Sequence, residues 1–426
     1  MGHLKLDAAK DHIDSDLVLV LQLRTANQPF LPCLEDLSCE NTTDEFIPFI
    51  PLFISPRTAS ITITLTEHSS TTVAVGAVIS RFPALRPNLE CIYIEGLARD
   101  PVTINAVSEL LLACNGNSLE SFCVDSPLTE EAQEVLFRLP NLSVLWAVMQ
   151  RHTLLPSVAL PNLTLIDVEY SDGLDWLRGF RGAVLGKLES AIFRCESEQI
   201  GDFLGAFGRV AVTTTAQNTL SSFRFCTSSG WNPNYSALLP FRQLKELTIE
   251  FSCDNGCSSR VDDDVIAALA LAMPKLETLR LGGDPCQTPT GATVKGLVTL
   301  ASRCPYLSDL RIHFQAASLV DAATSAMTTP IDDDESAVQW EDCVLTDLEV
   351  GRIPVPPQST TTIILTLLNI FPCIINVKYT NQEWKADAET LKNFGRIGAL
   401  VRHIGKAHRR VLICSGLNGA LPGRSN

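Results

Sequence analysis

Residues 265–281 read VIAALALAMPKLETLRL and residues 295–312 read KGLVTLASRCPYLSDLRI, so the segment from Asp262 to Phe314 contains one pattern twice. Pro274 and Pro305 occupy the same place in the two copies and lie 31 residues apart. A fixed period of this length is typical of a solenoid, because a unit that cannot bury its own apolar side must stack on its neighbours.

Each copy predicts a helix, a tight turn and a short strand. Asp262–Asp264 stand at the start of the first helix, whose N-terminus favours negative charge. Pro274 ends that helix, because proline cannot donate a backbone hydrogen bond. Four apolar residues are spaced as on one helix face: Ile266, Leu269, Ala270 and Met273. Three leucines then follow the rule Leu-x-x-Leu-x-Leu and end in the alternation of a strand: Leu276, Leu279 and Leu281.

The same frame extends over residues 31–380. It predicts an α/β solenoid, a horseshoe of about 12 irregular helix–strand repeats with a curved parallel sheet. Asp100 and Pro101 predict the start of one of its helices, as an N-cap and a first-turn proline. Residues 315–342 are rich in Ala, Ser and Thr and contain the acidic run Asp332–Glu335, so we expect an exposed loop that interrupts the frame.

The two ends of the chain are predicted to cap the repeats. Residues 1–30 form the N-terminal cap, with an amphipathic helix from Leu4 to Arg24 whose apolar positions include Leu17, Leu19, Val20 and Leu23. Residues 381–410 contain a helix from Leu391 to Ile404 that covers the open end, as terminal units of a solenoid must. Residues 411–426 are expected to be a disordered tail.

Composition excludes several classes of protein. The chain has 426 residues, a net charge of −15, 46% hydrophobic and 19% charged residues, which is normal for a folded domain and argues against a general nucleic-acid binder. Its 14 cysteines are scattered and often fall at core positions, which predicts a reducing compartment, cytoplasmic or nuclear. The N-terminus lacks a signal-peptide core, and the longest apolar run, Thr362–Val377, fits the repeat frame instead of a membrane span.

The Leu-x-x-Leu-x-Leu segments resemble leucine-rich repeats of the ribonuclease-inhibitor-like class, from roughly Leu31 to Tyr379. LPCLEDL at residues 31–37 and FIPLFISPR at residues 49–57 are similar to the segment that follows the F-box in fungal F-box/leucine-rich-repeat proteins. This resemblance implies recognition of substrates for a cullin-type ubiquitin ligase through a Skp-type adaptor.

The sequence departs from that family in two ways. The pair Leu31-Pro32 opens a strand pattern instead of an F-box helix, so the F-box itself is not present in these residues. We therefore expect the adaptor and the cullin as partners only if an F-box is supplied. The Asn or Cys that follows each strand in the family is also replaced, which predicts irregular turns; the positions hold Ser171, Ser252, Asp284 and Gln315.

No pattern in the sequence predicts catalysis, a cofactor or a metal. Cys253, Cys257 and Cys286 lack zinc-ligand spacing, and no suitably placed His accompanies them. The acidic runs Asp262–Asp264 and Asp332–Glu335 lack the alternating oxygen ligands and turn glycine of a calcium loop. Phosphate-binding and nucleophile-elbow motifs are likewise missing, so we predict that the protein is not an enzyme.

The residue between the last two apolar positions of each strand points away from the core. At these positions Arg224, Arg280 and Arg311, together with His313, predict a basic stripe, and Tyr93 and Trp146 predict an aromatic patch. Arginine and aromatic residues carry much of the binding energy at interfaces, which makes these six residues the predicted protein-binding site. An alternative interpretation pairs the arginines with Asp309, Glu246 and Glu277 and packs Trp146 under a loop.

Three functional hypotheses follow from these observations. The first is a non-catalytic module that binds a protein partner, which the resemblance would make a ubiquitylation substrate. The second is a diverged scaffold or decoy with no ligase role. The third is a small-molecule sensor or an enzyme with a pocket on the concave face. Neither the identity of the partner nor the face that binds it can be inferred from the sequence.

Overall fold

A computed structural model describes most of the predicted repeat region. The residues it describes are 2–7, 10, 30–43, 45–66, 72–85, 88–114, 118–149, 160–170, 177, 180, 184–195, 202–227, 233–251, 261–282, 291–314, 318, 343–350, 360–379, 397, 399 and 401. The predicted C-terminal tail and nearly all of the predicted acidic loop lie outside these residues, as do the four positions that replace the family's Asn or Cys.

The Leu-x-x-Leu-x-Leu segments form strands. In chain order, the strands of the described residues are β1 (Gly2–Asp7), β2 (Leu34–Thr42), β3 (Ser60–Leu65), β4 (Cys91–Glu95), β5 (Ser121–Pro127), β6 (Val144–Met149), β7 (Leu165–Tyr170), β8 (Ser190–Cys195), β9 (Ser222–Thr227), β10 (Glu246–Phe251), β11 (Thr278–Leu281), β12 (Asp309–Ile312), β13 (Asp347–Val350) and β14 (Asn376–Tyr379).

Helices alternate with many of these strands. The α-helices that the structure describes are Thr72–Ile79, Phe82–Leu85, Pro101–Ala113, Glu130–Leu136, Phe203–Thr213, Asp263–Ala272, Val294–Arg303 and Thr360–Ile370. Shorter 3-10 helices span Ile47–Leu52, Ala216–Asn218 and Tyr235–Leu238.

The chain divides into two compact units, one made of Met1–Gly201 with Arg209–Thr219 and the other of Asp202–Gly208 with Leu220–Asn426. Strands β1–β8 belong to the first unit, where each pairs in parallel with the next in sequence. Strands β9–β14 belong to the second and pair in the same sequential, parallel way. The predicted α/β class with a parallel sheet is therefore confirmed.

The apolar positions of the repeat form the core. In β11, Leu279 is 0% and Leu281 1% exposed, whereas Thr278 and Arg280, which alternate with them, are only half-buried. The helix before β11 buries the face that its spacing predicted, with Ile266 and Leu269 fully buried. Alternate burial in the strand and one buried helix face are what a sheet covered by helices on one side requires.

A ladder of backbone hydrogen bonds joins neighbouring strands at their first residues. The carbonyl of Lys245 accepts from the amides of Glu277 (2.7 Å) and Thr278 (2.9 Å). The carbonyl of Glu277 in turn accepts from those of Ser308 (2.8 Å) and Asp309 (3.2 Å). The same pattern precedes strands of the first unit, where Glu120 O accepts from two successive amides.

Hydroxyl side chains reinforce this ladder. Ser143 Oγ donates to Glu120 O at 3.0 Å, and Thr164 Oγ1 donates to Ser143 O at 2.9 Å. In the second unit Ser308 Oγ donates to Glu277 O and Thr346 Oγ1 to Ser308 O, both at 3.2 Å. Ser and Thr just before a strand therefore tie neighbouring strands together within each unit, although the asparagine ladder of typical leucine-rich repeats is missing from the sequence.

The N-terminal prediction was wrong over its first residues. Leu4–Asp7 belong to β1 instead of a helix, and β1 pairs in parallel with β2. The alternation in His3-Leu4-Lys5-Leu6 was the signal for a strand, since side chains of period two lie on opposite faces of a sheet. The apolar residues predicted further along that helix lie outside the described residues: Leu17, Leu19, Val20 and Leu23.

Candidate interaction surface

The residues predicted to point away from the core lie in register. In the first unit the row is Lys5, Ser38, Thr62, Tyr93, Cys123, Trp146, Asp167 and Ile192. In the second unit the row is Arg224, Thr248, Arg280, Arg311, Glu349 and Lys378. From Ser38 to Ile192 and from Arg224 to Arg311, the residues on either side of each row position are buried core residues, so these positions lie on the face of the sheet opposite the core.

Tyr93 and Trp146 contact each other, although they belong to β4 and β6 and a strand lies between them. Their ring centroids are 5.8 Å apart and their planes are tilted by 47°. Two strand spacings separate the backbones by roughly 9–10 Å, so the rings must lean together over the intervening residue. That residue is Cys123, whose small side chain is 8% exposed. The structure thus forms the predicted aromatic patch, and Trp146 packs on Tyr93.

Two carboxylates adjoin the aromatic pair. Tyr93 donates its hydroxyl proton to Glu95 Oε2 at 2.7 Å, and Glu95 is exposed. Asp125 accepts from the amides of Gly96 (2.7 Å) and Leu97 (3.1 Å). Sequence reasoning missed both acids; the available signal was that Glu95 lies two residues after Tyr93 in the same strand and so on the same face.

These carboxylates make the surroundings of the aromatic pair electronegative. Burial raises the pKa of Tyr93 to about 12, with further contributions from its hydrogen bond to Glu95 and from the charges of Glu95 and Asp125. Burial, followed by the charge of Glu95, also raises the pKa of the Asp125 carboxyl, against the lowering effect of its two backbone donors. A positive charge placed here would relieve this repulsion.

Further along the first row, the acids are paired. Arg194 donates from both terminal nitrogens to Asp167, at 2.6 and 2.9 Å, in a bidentate contact. Arg99 forms an ion pair with Glu169. Bidentate arginine–carboxylate pairs are directional, so the Arg194–Asp167 pair has a fixed geometry, and both pairs neutralise their acids.

The predicted basic stripe of the second unit is a neutral network. Arg224 pairs with Glu250 at 3.0 Å, and Arg311 reaches both Glu250 and Glu349 at 3.6 Å. Arg280 pairs with Asp309 at 2.6 Å. Three arginines thus face three carboxylates and their formal charges cancel.

The arginines differ in how accessible they are. The side chain of Arg224 is 50% exposed, that of Arg280 38% and that of Arg311 only 17%. Arg280 Nε is buried with no hydrogen-bond partner among the described residues. His313 lies beside Gly282, where an added Cβ would be 3.0 Å from its Cδ2. Of the three arginines, Arg224 is the most accessible to a partner.

The alternative interpretation of the arginines holds in part. Arg280 does pair with Asp309, as that interpretation requires. Glu277 instead pairs with Lys245 at 2.9 Å, and Glu246 accepts a hydrogen bond from Ser222 at 3.0 Å. Arg224 and Arg311 pair instead with Glu250, two residues beyond the row position Thr248, and Arg311 also pairs with Glu349 of the row itself.

No other feature of the described residues offers a chemical site. Within them, no group of three His, Cys, Asp or Glu is placed to hold a metal, and no helix is long and apolar enough to cross a membrane. Cys253, Cys257 and Cys286 lie outside them. Burial raises the pKa of the Cys39, Cys114 and Cys304 thiols to about 12, so these cysteines are protonated at neutral pH and poor nucleophiles.

Comparison with known proteins adds no family: no family model matches the chain, and no curated protein matches it. The case for a function therefore rests on the surface geometry described above.

Proposed function

We propose that the chain is a leucine-rich-repeat solenoid, a horseshoe of about 12 irregular repeats, that binds a protein partner through the exposed face of its sheet without catalysis. The observation that carries this proposal is the contact between Tyr93 and Trp146 on the sheet face opposite the core. Clustered aromatic residues anchor many protein interfaces, because they bury a large area at a small cost in side-chain entropy.

The charged residues set specificity in this proposal. Charged rows on an interface orient the partner and reject wrong partners more than they add affinity. Arg224 is the arginine most available for exchange with a partner carboxylate, since half of its side chain is exposed. Arg280 and Arg311 hold the neighbouring carboxylates in place, and His313 lies one residue beyond β12, beside Gly282.

Site-directed photocrosslinking in the native cells tests the proposal. A benzoylphenylalanine at Thr62, on the sheet face, is expected to form an adduct with a discrete protein, and the adduct disappears with Trp146→Leu. The matched control is the same crosslinker at Leu271, a helix residue that is 69% exposed. The same adduct at equal yield from Thr62 and Leu271, or an adduct at Thr62 that persists with Trp146→Leu, would contradict binding through the sheet face.

The resemblance to F-box proteins adds a role in ubiquitin ligation, in which the bound protein is a ubiquitylation substrate. Copurification of the native chain with a Skp-type adaptor and a cullin tests this role. Recovery of both favours the ligase. Failure to recover them, at a stringency that retains a genuine F-box protein, leaves a scaffold or decoy that binds its partner without ligation.

A further inference from the structure

We propose that the surface formed by Tyr93, Trp146, Glu95 and Asp125 binds a lysine or arginine side chain in a basic segment of the partner protein. This inference rests on the proposed function and adds the chemistry of the partner to it. In this complex the two aromatic rings contact the cationic side chain, and the two carboxylates balance its positive charge.

The aromatic pair provides a face for a cation. Each ring carries negative charge on its face and attracts an ammonium or guanidinium group, most strongly when the ring is that of Trp. Trp146 and Tyr93 are half-buried, and their rings are tilted by 47°, which makes them two adjoining walls. The aliphatic stem of a lysine or arginine packs on such walls while its charged end stays in a polar, hydrated environment.

The carboxylates beside the rings supply the matching charge. Glu95 accepts from the Tyr93 hydroxyl and Asp125 from two backbone amides, but neither is ion-paired to a cation of the described residues. Two other outward-facing acids are already neutralised, Asp167 by Arg194 and Asp309 by Arg280. The unneutralised pair next to the aromatic rings therefore selects a positive group.

The same geometry disfavours other occupants. An acidic peptide or a nucleic-acid phosphate would approach Glu95 and Asp125 with like charge, and the chain as a whole carries a net charge of −15. An uncharged apolar side chain would cover the rings but would leave the carboxylates without a counter-charge and partly desolvated, which opposes binding.

Peptide binding to the full chain tests the inference. The probes are three fluorescein-labelled nonapeptides in which glycine alternates with arginine, with citrulline or with leucine, and the readout is fluorescence anisotropy at physiological salt. Citrulline has the shape of arginine without its charge. We expect the arginine peptide to bind about five- to tenfold more tightly than the citrulline peptide, as a cation on aromatic rings beside carboxylates implies.

Matched variants locate the binding. Trp146→Leu and Glu95→Gln are each expected to lower the affinity for the arginine peptide about three- to fivefold. Their controls are Tyr306→Leu, which removes an aromatic ring that is 56% exposed, and Glu246→Gln, which removes an exposed acid from the sheet of the second unit. Both controls are expected to leave the affinity unchanged. Circular dichroism at the assay temperature verifies that each variant is folded.

Three results would overturn the inference. One is equal affinity for the arginine and citrulline peptides, another is tighter binding of the leucine peptide, and the third is a loss with Glu246→Gln as large as with Glu95→Gln, which would mean general attraction to an acidic chain. If these results occur while the crosslink at Thr62 still depends on Trp146, the basic ligand is wrong and protein binding stands. If the crosslink fails as well, the proposed function falls too.

Discussion

At the scale of single residues, side-chain size and hydrogen-bonding capacity decide local geometry. Cys123 is small enough for the Tyr93 and Trp146 rings to meet above it. Asp100 fixes the start of the helix Pro101–Ala113, since its carboxylate accepts from the amides of Val102 (2.9 Å) and Thr103 (3.2 Å). This is the helix start that the Asp-Pro pair predicted.

Asp100 also provides a pH-dependent test. The hydrogen bond from the Thr103 hydroxyl, followed by those from backbone amides, lowers the pKa of the Asp100 carboxyl, against a raising effect of burial. Its contribution to stability is therefore present above the ordinary pKa of an aspartate and lost as the pH falls through the lowered pKa. We expect Asp100→Ala to reduce the opening free energy of the helix by about 1 kcal/mol at neutral pH, and by less in strong acid.

Hydrogen-exchange protection of Pro101–Ala113 at two pH values measures this effect. The control is Asp100→Asn, which keeps an accepting oxygen without the charge and is expected to cost less than alanine at neutral pH. If the alanine variant loses as much hydrogen-exchange protection in strong acid as at neutral pH, the ionised carboxylate is not what stabilises the helix start.

At the scale of elements, two of three consecutive aspartates cap different helices. Asp262 caps its own helix by accepting from the Val265 amide at 2.9 Å. Asp263 accepts from Thr293 N (2.8 Å), Thr293 Oγ1 (2.6 Å) and Gly296 N (3.0 Å), so it caps the helix of the next repeat. Asp264 is exposed. The sequence predicted acids at a helix start, but not that one of them joins two repeats.

Glycine at position 296 belongs to the same junction. A Cβ added there would lie 2.6 Å from Asp263 Oδ1 and 2.9 Å from Ile266 Cδ1. Both distances are shorter than side-chain contacts allow, so any larger residue at this position would require the Asp263 carboxylate and the end of the Ile266 side chain to move.

Exchanging the aspartates one at a time tests the junction. Asp263→Ala is expected to cost about 2 kcal/mol, because three hydrogen bonds to a charged acceptor are lost. Asp264→Ala is the matched control and should change stability by less than about 0.5 kcal/mol. Thermal melting and hydrogen exchange of Val294–Arg303 are the measurements. Equal effects of the two substitutions would mean that the contact across the repeats contributes nothing.

At the scale of the whole molecule, each strand depends on the strands beside it. Within each unit, backbone carbonyls connect most neighbouring strands at their first residues, and Ser and Thr hydroxyls reinforce some of these contacts. Apolar residues of successive repeats stack under the sheet, with Leu279 and Leu310 paired in register and both fully buried. Because contacts are made mainly between neighbours, stability in such a chain is approximately a sum of local terms.

Truncation of one core side chain in the second unit tests this dependence on neighbouring strands. Leu310→Ala in β12 is expected to cost about 2–5 kcal/mol. Amide exchange should rise most in β11 and β13, which pair with β12, and less in β9. Thr278→Ala, on a half-buried position of β11, is the control and should have a small effect. A uniform rise from β9 to β14 would indicate global unfolding instead of nearest-neighbour coupling.

Sequence periodicity predicted most of the strands because burial repeats along the chain. Burial of one side of each strand is enough to produce the apolar spacing of Leu276, Leu279 and Leu281 and of its equivalents elsewhere, so this spacing can be recognised in the sequence. The same reasoning failed at Leu4–Asp7, where a short alternation was absorbed into a longer helical pattern. It also failed for the charge of the second unit, since Arg311 pairs with Glu250 and Glu349, which come from other strands.

The sequence by itself determined the order of helices and strands, the ends of two helices shortly before Pro274 and Pro305, and which residues face away from the core, because periodicity and proline act locally. Only the tertiary structure decided what those outward residues do. Parallel register brings Tyr93 and Trp146 together across a strand and leaves Glu95 beside them, while it neutralises the arginines of the second unit. Which side chains meet depends on the register between strands. Contacts between residues far apart in sequence leave no periodic pattern, so the sequence alone does not show them.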